Sequence, residues 1–143
     1  AYVPCDVYRH YERCRYPLVR AFIGEVTAAL KAPLAIRVSG PVAVDVVFRK
    51  KGGAVLVHLI NRASGIPNTP NNPEIDEIPE VGPVQVVMRC ASKPGKVSLA
   101  WEKGGMKWSW KPGRQGGTLT AVIDKVHIHT ALVVQDCALQ PSR

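Results

Sequence analysis

Four sets of residues in this 143-residue chain have types and spacings that could do chemistry. The first is acidic: Glu74, Asp76, Glu77 and Glu80 crowd into one short stretch. Acid–base hydrolysis needs two carboxyl groups held at a set distance on rigid elements. These four lie among Pro67, Pro70, Pro73 and Pro79, with Asn68, Asn71 and Asn72, in what reads as a loop. The stretch also lacks the alternating Asp-x-Asp-x-Asp-Gly spacing of a calcium loop, so a solvated or interface loop is expected and no catalytic residue is assigned. The second set is Trp108 and Trp110, alternate residues on one strand face, whose rings could form a stacking platform for a sugar, although such pairs are more often core. The third is His127 and His129, again alternate, which could ligate a metal. No third ligand is evident beside them, and no metal or other cofactor is expected. The fourth is the turn expected over residues 6–16, where Tyr8, His10, Tyr11, Arg13 and Arg15 can both pack and hydrogen-bond. Tyr and Arg are enriched at interface hot spots, which makes Tyr8, Tyr11 and Arg13 the candidate interface or substrate-proximal residues. No Gly-rich phosphate loop follows a strand, and no Ser/His/Asp or Cys/His arrangement stands out.

The elements that must position these residues can be read from periodicity. Pro17 suits a first helical position, and Leu18, Val19, Phe22, Ile23, Val26 and Leu30 recur at helical spacing until Pro33. One amphipathic helix is predicted there, weakened by Gly24 by about 1 kcal/mol unless close packing needs the missing side chain. From Leu34 onward the period becomes strand-like. Residues 53–61 (Gly-Ala-Val-Leu-Val-His-Leu-Ile-Asn) are almost unbroken in their apolar character and predict a core strand buried on both faces. Residues 42–50 should pair with it through a Lys51-Gly52-Gly53 hairpin connection. His58 and Asn61 are the polar residues in that apolar run, and they are expected to be satisfied by structural hydrogen bonds.

Further strands are expected over residues 83–90, 96–102, 106–111, 118–126 and 129–135, separated by Lys93-Pro94-Gly95, Gly104-Gly105, Pro112-Gly113 and Gly116-Gly117. About eight short strands with regular turns predict a mainly β fold, an antiparallel β-sandwich. Ala1 to Pro4 looks like the end of a strand entered in mid-course. The expected division is residues 1–33, a strand end, a turn and a helix, and residues 34–143, the sandwich.

Composition excludes several classes. Hydrophobic residues make up 46% of the chain, yet no apolar run approaches the ~18 residues of a membrane span, so no membrane partner is expected. The net charge of +8 would attract nucleic acid if it were concentrated. It is scattered from Arg9 to Arg143, which suits a solvated surface or an acidic interface better than a nucleic-acid groove. Cys5, Cys14, Cys90 and Cys137 show no C-x-x-C spacing. They are read as mostly reduced, and with no export signal in view the expected location is cytoplasmic.

The order of motifs carries a resemblance. A Tyr-x-Pro strand end is followed by a Tyr/Arg-rich turn, Pro-Leu-x-Arg opening a helix, a Gly-Pro, and a hairpin into His-Leu-Ile-Asn. Then come a Pro-rich loop closing with Ile-Pro-x-Val-Gly-Pro-Val and a late Val-x-Ile-His-x-x-Leu-Val-Val. Over nearly its whole length the chain resembles the carboxy-terminal end of large multidomain glycoside hydrolases, of α-L-fucosidase or β-galactosidase type. In these a catalytic barrel is followed by a trimerisation-like α/β module and a small β-sandwich, and the resemblance implies that residues 1–33 are the last strand and helix of that module and residues 34–143 the sandwich. The resemblance implies a non-catalytic segment that supports the barrel and the assembly of the oligomer. It further implies the remainder of the enzyme as a separate chain, a homo-oligomer, and a carbohydrate substrate bound through that larger enzyme. The rival expectation is an autonomous carbohydrate-binding sandwich with Trp108 and Trp110 as its platform.

Overall fold

The computed structural model describes residues 6–14 (without the side chains of His10 and Glu12), 16–31, 34–63, 77–101 and 105–140. The strand end expected at Ala1 to Pro4, Arg15, the acids Glu74 and Asp76, and most of the Pro-rich loop lie outside the described residues. The chain divides into two compact units between Leu34 and Ala35.

Among its described residues the first unit holds two helices, α1 (Val7–Cys14) and α2 (Pro17–Ala29). The turn expected over residues 6–16 is therefore corrected to a helix. Its start is explained by Asp6, whose Oδ1 accepts a hydrogen bond from the Arg9 backbone N–H at 3.2 Å and so satisfies one of the donors a helix start leaves open. Val7 and Tyr11, one turn apart, are half-buried, as are Val19, Ile23 and Val26 on α2. Leu18 and Phe22 are exposed, and no residue of α2 is fully buried. Lys31, in the left-handed region at φ 47°, ends the helix and donates to the Ala28 carbonyl at 3.0 Å.

The second unit is mainly β, with eight antiparallel strands in two four-stranded sheets among the described residues. They are β1 (Ile36–Ser39), β2 (Val44–Lys51), β3 (Ala54–Asn61), β4 (Val84–Cys90), β5 (Lys96–Ala100), β6 (Met106–Pro112), β7 (Gly117–Ile123) and β8 (His129–Gln135). One sheet has the order β1-β4-β7-β6 and the other β2-β3-β8-β5. The β2–β3 hairpin forms at the expected Lys51-Gly52-Gly53 connection, with Lys51 still in β2 and both glycines at positive φ (54° and 80°), the conformation a two-residue turn needs to match strand twist. The segment holding Lys93, Pro94 and Gly95 does something else: it carries the chain from one sheet to the other, since β4 and β5 are not neighbours.

The core lies between the sheets. Val84, Val86, Met88 and Cys90 of β4 and Leu119, Ala121 and Ile123 of β7 meet Val55, Val57 and Leu59 of β3 and Leu132 and Val134 of β8. On β3 burial alternates strictly, so the expectation of a strand buried on both faces is corrected. In a two-layer sandwich each sheet turns one face to the core, and Leu56, His58 and Ile60 point to the other side, where they are half-buried.

The cysteines are also corrected. Cys90, at the end of β4, and Cys137, just after β8, form a disulfide with Cα atoms 5.6 Å apart. Around it Ala91 N–H donates to Ala138 O at 2.8 Å and Gln140 N–H to Arg89 O at 2.9 Å, so the chain leaving β8 is fastened to the opposite sheet. Cys14 is free and exposed. Among the described residues no helix is long and apolar enough to cross a membrane.

Candidate functional site

The outward face of the β2-β3-β8-β5 sheet brings together three residues distant in sequence. Strand alternation puts His58 of β3 outward. The register Ile60↔His129 and His58↔Ala131 makes His129 of β8 its diagonal neighbour on that face. Trp101 follows β5 directly. Had β5 run on through residue 102, as the sequence predicts, Trp101 would alternate to the inner side, because Ala100 is paired with Ala131 on the outer one. Instead β5 stops at Ala100, and Trp101 takes a left-handed φ of 71°. The buried Thr130 hydroxyl donates to the Ala100 carbonyl at 3.0 Å, holding the peptide at which the chain turns. For a bulky side chain this conformation costs about 1–2 kcal/mol.

The result is an aromatic cluster. His58 Nδ1 and His129 Nε2 are 3.1 Å apart and share a hydrogen bond, while the ring centroids are 5.3 Å apart and the planes only 12° from parallel. Nitrogens so much closer than the centroids mean that the two imidazoles lie edge to edge in nearly one plane, not face on face. The Trp101 indole lies over both, 4.9 Å from His129 and 5.9 Å from His58, tilted by 30° and 28°. Burial, then His129 and Arg49, lower the His58 pKa below 6.5, so His58 is neutral near pH 7. Trp101 is 70% exposed. Between these groups Ala131 is fully buried although it faces away from the core. An indole mostly in solvent with hydrogen-bonding imidazoles against it can stack on an apolar molecular face and bind polar groups at its rim.

The residues anticipated from sequence fall elsewhere. Trp108 and Trp110 share a face of β6, and it is the face turned inward, since they pair with the buried Ala121 and Leu119. Trp110 packs against the core, and a Cβ on Gly117 would collide with its ring. Trp108, at the sheet edge, is 39% exposed. Tyr8 and Arg13 are exposed and Tyr11 half-buried on α1, in the other unit. His127 is exposed and outside β8, so it does not share a strand face with His129. Among the described residues no three His, Cys, Asp or Glu converge on a metal position. Asn61 is satisfied structurally, as expected: its amide donates to Pro79 O at 2.7 Å and His127 O at 2.6 Å, and its oxygen accepts from Ala63 N–H at 2.8 Å. Of the described acids from the Pro-rich stretch, Glu80 pairs with Lys125 at 2.8 Å on the surface.

Trp101 was missed because a Trp inside Val-Ser-Leu-Ala-Trp reads as one more strand residue. His58 and His129 were each noticed singly, and only the pairing of β3 with β8 makes them neighbours.

No family model matches the chain, and no curated protein matches it. Its fold resembles part of an α-L-fucosidase. The structure of α-L-fucosidase isoenzyme 2 from Paenibacillus thiaminolyticus matches 90% of this chain with a TM-score of 0.62 at 14% identity. The chain corresponds to 19% of that enzyme's length. At this identity the similarity to the fucosidase is one of fold.

Proposed function

We propose that this chain is a non-catalytic part of a glycoside hydrolase of α-L-fucosidase or β-galactosidase type, supporting the catalytic barrel and the assembly of the oligomer. The observation that carries the reading is the fold match, which takes in nearly all of this chain and only 19% of an α-L-fucosidase. The exposed apolar side chains of α2, Leu18 and Phe22 above all, support it, because contiguous exposed apolar surface marks a contact site. In this reading Tyr8, Tyr11 and Arg13 on α1 belong to the same contact region, and the partner is the remainder of the enzyme. Native mass spectrometry of the protein isolated from its source tests the proposal. This 15.6 kDa segment should be found on, or travelling with, a much larger polypeptide, in an assembly that hydrolyses aryl α-L-fucosides or β-galactosides. A folded chain that travels alone, or a larger assembly inert on both substrates, overturns it.

A further inference from the structure

We propose that Trp101, His58 and His129 form a carbohydrate-binding platform on the outward face of the sandwich, taking the C–H face of a single pyranose residue. The inference stands on three features of the cluster and goes beyond the supporting role proposed above. The first is exposure against conformation. Trp101 occupies a left-handed backbone conformation that bulky residues avoid, and it remains 70% in solvent. Little of its ring area is removed from water by folding, so burial gives scant return for the strained backbone. Strain of this kind, fixed by surrounding contacts, concentrates at ligand clamps, and here Thr130 supplies the fixing hydrogen bond.

The second feature is the support beside the ring. The indole stacks, tilted, against the hydrogen-bonded imidazole pair, so its orientation is biased before a ligand arrives and less side-chain freedom is lost on binding. Most of the ring stays open to solvent. The third is the character of the rim. The imidazoles bring nitrogens that donate or accept according to tautomer, placed beside an apolar plane. An apolar ring face bordered by hydroxyl groups is the chemistry of a sugar. A pyranose with an axial 4-hydroxyl clears one face, leaving C3–H, C4–H and C5–H together, so galacto-configured sugars, including 6-deoxygalactose, should fit better than gluco-configured ones.

The experiment is a ligand titration of the complete chain followed by the side-chain indole N–H signals, of which three tryptophans give three. The Trp101 signal is assigned with Trp101→Phe. The probes are methyl α-L-fucopyranoside, methyl β-D-galactopyranoside and methyl β-D-glucopyranoside. The expected result is a saturable millimolar shift of the Trp101 signal with the first two, weaker with the glucoside, and no change at Trp110. Trp101→Ala, at an exposed position, should fold as the parent does by circular dichroism and bind about tenfold more weakly or worse. His129→Ala should weaken binding while keeping the fold, and Trp108→Ala should leave it unchanged. The proposal is overturned if no probe moves the Trp101 signal, if Trp101→Ala binds like the parent, or if Trp101 in the source-isolated assembly is shielded from acrylamide quenching. The two proposals fail separately: a lone chain that binds sugar at Trp101 ends the supporting role and keeps the platform, whereas an active assembly with Trp101 shielded does the reverse.

Discussion

Asn61 ties three segments of backbone to the end of β3, and it does so from a nearly buried position. Replacing it with Leu would take the donor from the Pro79 and His127 carbonyls, which belong to exposed residues that water can reach, so each lost hydrogen bond costs about 0.5–1.5 kcal/mol. Asn61→Leu should therefore lower the unfolding free energy by about 1–3 kcal/mol, measured by urea denaturation. Asn61→Asp should be at least as damaging near neutral pH, because it sets a carboxylate against two carbonyl oxygens. Equal stability of Asn61→Leu and the parent would mean that packing alone secures this corner. His58 yields a prediction of a different kind. Burial first, then His129 and Arg49, hold its pKa below 6.5, so the folded state takes up a proton less readily than the unfolded one. The contribution to stability is complete above 6.5 and is lost as pH falls through the lowered folded value. Thermal unfolding followed from pH 8 downward should show this loss, and His58→Asn should flatten the pH dependence over that window. A His58 ring that titrates by NMR at or above 6.5 would contradict the argument.

Among the elements, the disulfide between β4 and the segment after β8 closes a separation of 47 residues. On the loop-entropy account that is worth about 4 kcal/mol. Peptide mapping without reduction should recover a Cys90–Cys137 linked pair, and Cys90→Ser with Cys137→Ser should unfold at markedly lower denaturant. An unlinked pair in carefully alkylated protein would show that the thiols persist, and with them the case for a reducing compartment. In α2, a Cβ at Gly24 would meet no atom within 4 Å, so no close packing requires the glycine there. Gly24→Ala should raise stability by about 0.5–1 kcal/mol. Most of the strands were legible because Val-rich runs such as Val84–Cys90 alternate with polar residues at period two, and the β2–β3 hairpin was legible because Gly52-Gly53 has few other uses. What stayed hidden depends on which strands face each other. Cys90 and Cys137 carry no local spacing signal, and Trp101 leaves its strand through one backbone angle that no periodicity reports. His58 and His129 meet only through the β3–β8 register. By contrast α1 had a readable signal, Asp6 as a helix cap three residues before Arg9, outweighed by the density of Tyr and Arg around it.

At the scale of the whole molecule, the two units differ in how they satisfy their apolar residues. The sandwich encloses its own core, from Val55 to Cys137. The helical unit does not: α2 has no buried residue, and Leu18 is 68% exposed with Phe22 one turn on at 44%. The half-buried Val19, Ile23 and Val26 occupy the adjoining strip of the same helix, so the apolar surface of α2 is wider than the part that α1 covers. A helix that expends such residues on solvent gains little from them in isolation, since helices in proteins are stabilised chiefly by packing of an apolar face. The remedy is contact with a further surface, which the proposed enzyme assembly would supply. Leu18→Glu with Phe22→Glu separates the two roles. Because Leu18 lies mostly and Phe22 partly in solvent, the stability of this chain should change by no more than about 2 kcal/mol. Assembly with the larger polypeptide should be lost, read as a shift from the complex to the free species in native mass spectrometry and sedimentation. If the doubly charged variant still assembles, α2 is not the contact face, and the supporting role would have to rest on the sandwich surface alone.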